Sequence, residues 1–124
     1  MHSQRVVLVV DDEPMVAELA TEALLAAKFD TRFALNAQGA LSVLSEFPNI
    51  DLLFTDVMMP EINGFRLAAM ATILRPDLRV LYASGYPRQS RELAFAVNVH
   101  DRILEKPYRP NELIEAVQLA LNRP

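Results

Sequence analysis

The chain has 124 residues, of which 52% are hydrophobic and 23% charged, and its 12 Lys and Arg against 16 Asp and Glu give a net charge of −4. That balance excludes a disordered or fibrous chain, and its acidic sign argues against a surface that tracks nucleic-acid phosphates. Cysteine is absent, no apolar run approaches the roughly 18 residues of a membrane span, and Met1 to Arg5 lead into only a short apolar stretch, so neither disulfides, thiolate metal sites, a signal peptide nor an anchor is expected.

Val6 to Val10 is an unbroken apolar, β-branched run that ends at Asp11 and Asp12, the pattern of a strand buried on both faces. Pro14 suits a first helical turn, and Val16, Leu19, Ala20, Ala23, Leu24 and Ala27 follow at helical spacing. Thr31 to Leu35 reads as a second strand and Asn36 as an N-cap. Ala40, Leu41, Leu44 and Phe47 form the apolar face of a second helix that stops before Pro48. Leu52 to Phe54 is a third short strand running into Thr55 and Asp56. After a loop over Val57 to Asn63, the stripe of Phe65, Ala68, Ala69, Thr72 and Ile73 predicts a third helix closed by Pro76. Val80 to Ala83 predicts strand four, ahead of Ser84 and Gly85. A fourth helix is expected within Ser90 to Val97, and Ile103-Leu104 is a very short fifth strand before Lys106-Pro107. Pro110 opens a last helix with Leu113, Ile114, Val117, Ala120 and Leu121 inward.

Five strand–helix units in strict alternation imply a doubly wound α/β fold, a parallel sheet with helices on both faces, in one domain over residues 1–124. Ligands of such sheets bind beyond the carboxyl ends of the strands, where the strand order reverses. Those ends carry Asp11 and Asp12, Asp56, Ser84 and Lys106. Singly, each has an ordinary reading: the Asp pair as a helix cap, Asp56 and Ser84 as turn residues, Lys106 as a solvated surface lysine. Jointly they supply what a carboxylate nucleophile for phosphoryl transfer needs, which is an oxygen-ligated cation, a hydroxyl donor and a lysine on the phosphoryl oxygens. Converging carboxylates repel unless a divalent cation joins them, and an all-oxygen set without His or Cys suits Mg²⁺.

From Val6 to Leu121 the chain resembles the receiver domain of bacterial response regulators, of the CheY-like superfamily. The motifs that carry the likeness are Val9-Val10-Asp11-Asp12-Glu13-Pro14, Asp51 to Pro60 with Gly64 following, Ser84-Gly85-Tyr86, and Leu104-Glu105-Lys106-Pro107-Tyr108. The resemblance implies a flavodoxin-like sheet of order 2-1-3-4-5 with five helices. It implies phosphorylation of Asp56, direct Mg²⁺ ligation by Asp12 and Asp56, a contact from Asp11 through water, and a backbone carbonyl from Met58. Lys106 and Ser84 would meet phosphoryl oxygens, Lys106-Pro107 would be cis, and Pro60 and Gly64 would shape the loop. The implied partners are a sensor histidine kinase or histidine phosphotransfer protein and a downstream protein target, in the cytoplasm, with no direct nucleic acid or membrane contact.

The chain also departs from the family pattern. Ile103 stands where many receivers place a Phe or Tyr whose ring turns on activation, and Val97 to Arg102 replaces a frequent Gly-Ala turn. Tyr86 and Tyr108 are expected in packing roles, Met58 and Tyr86 near the approach of water, and His100 as a solvated loop residue. An aspartate-nucleophile phosphatase of the haloacid dehalogenase type needs an acid two residues after the nucleophile, where Met58 stands. A nucleotide-binding reading lacks a Gly-rich fingerprint. A receiver fold that binds partners without being phosphorylated remains the alternative.

Overall fold

The structure is a computed structural model that describes residues 4–86 and 103–123. Five strands and, among the described residues, four helices follow in order: β1 (Val6–Val10), α1 (Pro14–Ala26), β2 (Asp30–Ala34), α2 (Ala37–Glu46), β3 (Leu52–Asp56), α3 (Gly64–Leu74), β4 (Arg79–Ser84), β5 (Ile103–Glu105) and α4 (Pro110–Asn122). Five helices were expected, and the one anticipated within Ser90 to Val97 lies outside the described residues. All strand pairs are parallel, and the sheet order is β2-β1-β3-β4-β5.

The unbroken apolar runs of β1 and β3 follow from this position. Each strand alternates its side chains between two helical layers, so neither face can be polar. Leu8, Val10, Leu53, Val80 and Tyr82 point into one core with α2 and α3. Val7, Val9, Leu52, Phe54 and Leu81 point into the other with α1 and α4. Caps fix where the helices begin: the side chain of Asn36 accepts from the Gly39 amide at 2.7 Å, and that of Asn63 accepts from the Arg66 amide at 2.9 Å. At α4 the Arg109 amide donates to the Glu112 carboxylate at 2.8 Å, and Pro110 occupies the first turn.

Two helix faces differ from the expected stripes. In α1 the buried set is Ala17, Ala20, Thr21 and Leu24, while Leu19 is 61% exposed. In α3 it is Gly64, Phe65, Leu67, Ala68 and Ala71, while Ile73 is 80% exposed and Ala69 lies at the surface. Both helices are apolar around most of their circumference, so periodicity alone leaves the inward direction open. Phe47 is the C-cap of α2 and still packs against the same core as Ala40 and Leu44, with the Arg32 guanidinium 3.8 Å above its ring. Strand β2 is shifted back by one residue, to Asp30–Ala34, and β3 and β4 extend far enough to include Asp56 and Ser84. No helix among the described residues is long and apolar enough to cross a membrane.

Candidate functional site

The parallel register brings the ends of four adjacent strands level. Val10 lies opposite Thr55, Asp56 opposite Ala83, and Ser84 opposite Glu105. Asp11 therefore leaves β1 beside Asp56 at the tip of β3, with Ser84 at the tip of β4 and Lys106 just past β5. The strand order reverses between β1 and β3, with β2 added on one side of β1 and β3 to β5 on the other, and this opens the crevice in which they meet. Backbone bonds hold these ends in place: the Asp11 amide donates to Ala34 O at 3.2 Å, the Val57 amide to Ala83 O at 2.9 Å, and the Lys106 amide to Ser84 O at 2.9 Å.

Asp11, Asp12 and Asp56 each offer a carboxylate oxygen within 4.8 Å of the others'. Asp11 and Asp56 are buried and Asp12 is exposed, so the cluster has two walls and an open side. This donor set fits Mg²⁺: hard oxygens, a charge cluster that calls for a cation, and an approach from solvent that leaves room for water ligands. Among the described residues, Lys106 is the cation paired with this cluster. Its Nζ donates to Asp11 Oδ2 at 2.9 Å and lies 3.3 Å from Asp56 Oδ1. The other oxygen of Asp11 accepts from the Glu13 amide at 3.0 Å.

Burial pushes the Asp56 carboxyl up from 3.8 to about 6, reinforced by the charges of Asp11 and Asp12 and opposed by Lys106. Burial works against the Lys106 charge, yet the hydrogen bond to Asp11 and the charges of Asp56 and Asp11 outweigh it and leave its pKa above the ordinary lysine value. Tyr108 is shifted upward as well, by burial first and then by the same two carboxylates. Its ring meets Phe54 edge-on, with centroids 5.7 Å apart at 71°.

Ser84 is fully buried, and its Oγ accepts from the Tyr86 amide at 2.9 Å. Tyr86 and Met58, each two residues beyond a strand-end member of the site, are 63% and 50% exposed. The Lys106-Pro107 bond is cis. Ile103 is half-buried against the core that contains its register partner Tyr82, whose ring packs on Phe65 at 4.6 Å. His100 and Val97 to Arg102 lie outside the described residues. Every proposed side-chain ligand or phosphoryl contact, Asp11, Asp12, Asp56, Ser84 and Lys106, thus stands at one edge of the sheet. Two residues escaped the sequence reading: Glu13, whose amide orients Asp11, and Thr55, whose hydroxyl donates to the Asp56 carbonyl at 2.9 Å. Neither leaves a sequence signal, because one acts through its backbone and the other looks like any β-branched strand residue.

Residues 7–118 match the sequence model of the response regulator receiver domain. The response regulator receiver protein CpdR of Brucella abortus is 29% identical over 118 residues, covering 95% of this chain and 97% of that protein. The DNA-binding transcriptional regulator NtrC of Azospirillum brasilense is 32% identical over 124 residues, 97% of this chain but 25% of that protein. Among solved structures, the response regulator TrrA of Thermotoga maritima in complex with Mg²⁺-BeF is 29% identical, with a TM-score of 0.82 over 95% of this chain and 100% of that one. The chain thus spans nearly all of some relatives and a quarter of others.

Proposed function

The chain belongs to the response regulator receiver domain family, and from that membership we propose that Asp56 accepts a phosphoryl group from a phosphohistidine, with Mg²⁺ at the adjoining carboxylates. Receiver domains are signalling modules that work with histidine kinases. The single observation that carries the reading for this chain is the convergence of three carboxylates within 4.8 Å beneath Lys106, with Asp56 buried among them.

Asp12 and Asp56 would hold Mg²⁺ directly, Asp11 through water, and Met58 through its backbone carbonyl. When bound, the ion neutralises the carboxylates and the charge on the transferred group. Asp56 attacks the phosphorus in line, its new O–P bond replacing the P–N bond of the donor, and the imidazole leaves with the electron pair of that bond. The product is a mixed anhydride that water hydrolyses. Lys106, 3.3 Å from Asp56 Oδ1, is placed to follow the charge onto a phosphoryl oxygen, and the Ser84 hydroxyl donates to another. Catalysis is positioning and charge neutralisation, and the only reaction promoted is the chain's own phosphorylation and dephosphorylation.

The output is a population shift in which the phosphoryl group draws in Ser84 and its loop and alters the surface offered to a downstream protein in the cytoplasm. The rival, a receiver that binds partners without being phosphorylated, draws nothing from a site with its three carboxylates and lysine in reach of one another. Titration with Mg²⁺ and beryllofluoride, followed by amide NMR, tests the reading. A saturable change that requires Mg²⁺ and disappears in Asp56→Asn is the expected result, and no change in the unsubstituted chain would sink it.

A further inference from the structure

Five polar side chains are buried among the described residues: Asp11, Thr21, Thr55, Asp56 and Ser84. Three belong to the site, and Thr21 donates to Ala17 O one turn back in its own helix. Thr55 is the remainder. It is fully buried, lies in register with Val10 on one side and Tyr82 on the other, and its Oγ1 donates to the backbone carbonyl of Asp56 at 2.9 Å. The same carbonyl touches the start of α3. A Cβ added to Gly64 would stand 2.3 Å from Asp56 O and 3.0 Å from Val57 Cα. The Gly64 amide donates to Val57 O at 2.8 Å, and the Val57 amide donates to Ala83 O at 2.9 Å.

We propose that Thr55 and Gly64 are positioning residues for phosphorylation, which together clamp the peptide group between Asp56 and Val57. The orientation of that peptide sets where the Asp56 carboxylate points and where the chain carries the Met58 carbonyl two residues on. Thr55 acts through its hydroxyl, since a valine there keeps the β-branched shape but deprives a buried carbonyl of that donor. Gly64 acts through what it lacks. Alanine is the better helix former, so a substitution free of contact would strengthen α3, whereas here its methyl would drive the helix off the Asp56 backbone. The consequence for phosphorylation rests on the reading of Asp56 as the phosphoacceptor, whereas the clamp itself rests on geometry alone.

Amide hydrogen exchange and Mg²⁺-dependent beryllofluoride titration of the original chain, Thr55→Val, Thr55→Ser and Gly64→Ala test it, with the Leu8 amide in β1 reporting global opening. Thr55→Val is expected to weaken beryllofluoride binding about three- to tenfold and to speed exchange at Val57 and Gly64 by a similar factor relative to Leu8, as the loss of one buried hydrogen bond predicts. Thr55→Ser restores both, and Gly64→Ala weakens binding by about tenfold or more. The proposal is overturned if Thr55→Val leaves both readouts unchanged, or if serine fails to restore them. Should Gly64→Ala not fold, the two Thr55 variants decide. Should the original chain ignore beryllofluoride, the phosphoacceptor reading falls, and exchange at Val57 and Gly64 still judges the clamp.

Discussion

Asp56 concentrates the electrostatics of the molecule in one group. Its pKa is raised from 3.8 to about 6, so the folded chain binds a proton more tightly there than the unfolded chain does. A raised carboxyl contributes stability that is complete below the unfolded value and lost as pH climbs through the folded one. In the absence of divalent cations, then, the native state should lose about 1 to 3 kcal/mol between roughly pH 4 and pH 7 from this group. Asp56→Asn should recover most of that loss. Urea unfolding at pH 4.5 and pH 8 measures it: the variant is expected to be the more stable protein at pH 8, with the gap closing at pH 4.5. At this scale the polar residues of the site were legible, because strand-end carboxylates and a lysine in a fixed order are written in the primary structure. The pairing of Lys106 with Asp11 was not, since the resemblance pointed the lysine at a phosphoryl oxygen. In the folded chain the lysine lies against the two carboxylates within reach.

At the scale of elements, the strands and the Asn36 cap were easier to read than the helix faces. An apolar run such as Val6–Val10 has one sensible place in a parallel sheet, whereas α1 and α3 offer several apolar stripes and only the fold selects one. The selection has measurable weight. Leu53 is fully buried in the core between the sheet and α2 and α3, so Leu53→Ala should cost about 2 to 5 kcal/mol in chemical denaturation. Ile73, predicted to face inward and found 80% exposed, should tolerate serine within about 0.5 kcal/mol. If the two substitutions cost the same, the assigned face of α3 is wrong. Removing the cap in Asn63→Ala should cost about 1 kcal/mol, and because that cap begins the helix resting on Asp56, it should also weaken Mg²⁺ binding.

Among the described residues, the carboxylate cluster of the candidate site lies at the carboxyl edge of the sheet. Two apolar cores flank the sheet, and the charges gather where four strand ends meet. A cation that joins those carboxylates binds the folded chain alone, so Mg²⁺ at about a hundred times its dissociation constant should stabilise the fold by about 2.7 kcal/mol, with most of the gain absent in Asp56→Asn. Ile103 replaces the usual aromatic on β5, and the ring in that neighbourhood is Tyr82 on β4, packed on Phe65 of α3. That neighbourhood escapes a reading of motifs, because it depends on which residues the sheet pairs. Phosphorylation of Asp56 is open to a direct measurement. Incubated with a small-molecule phosphodonor and Mg²⁺, then mapped by mass spectrometry, the chain should gain one phosphoryl group on the peptide that contains Asp56, and Asp56→Asn should gain none. No adduct, or one that persists in the variant, would contradict it.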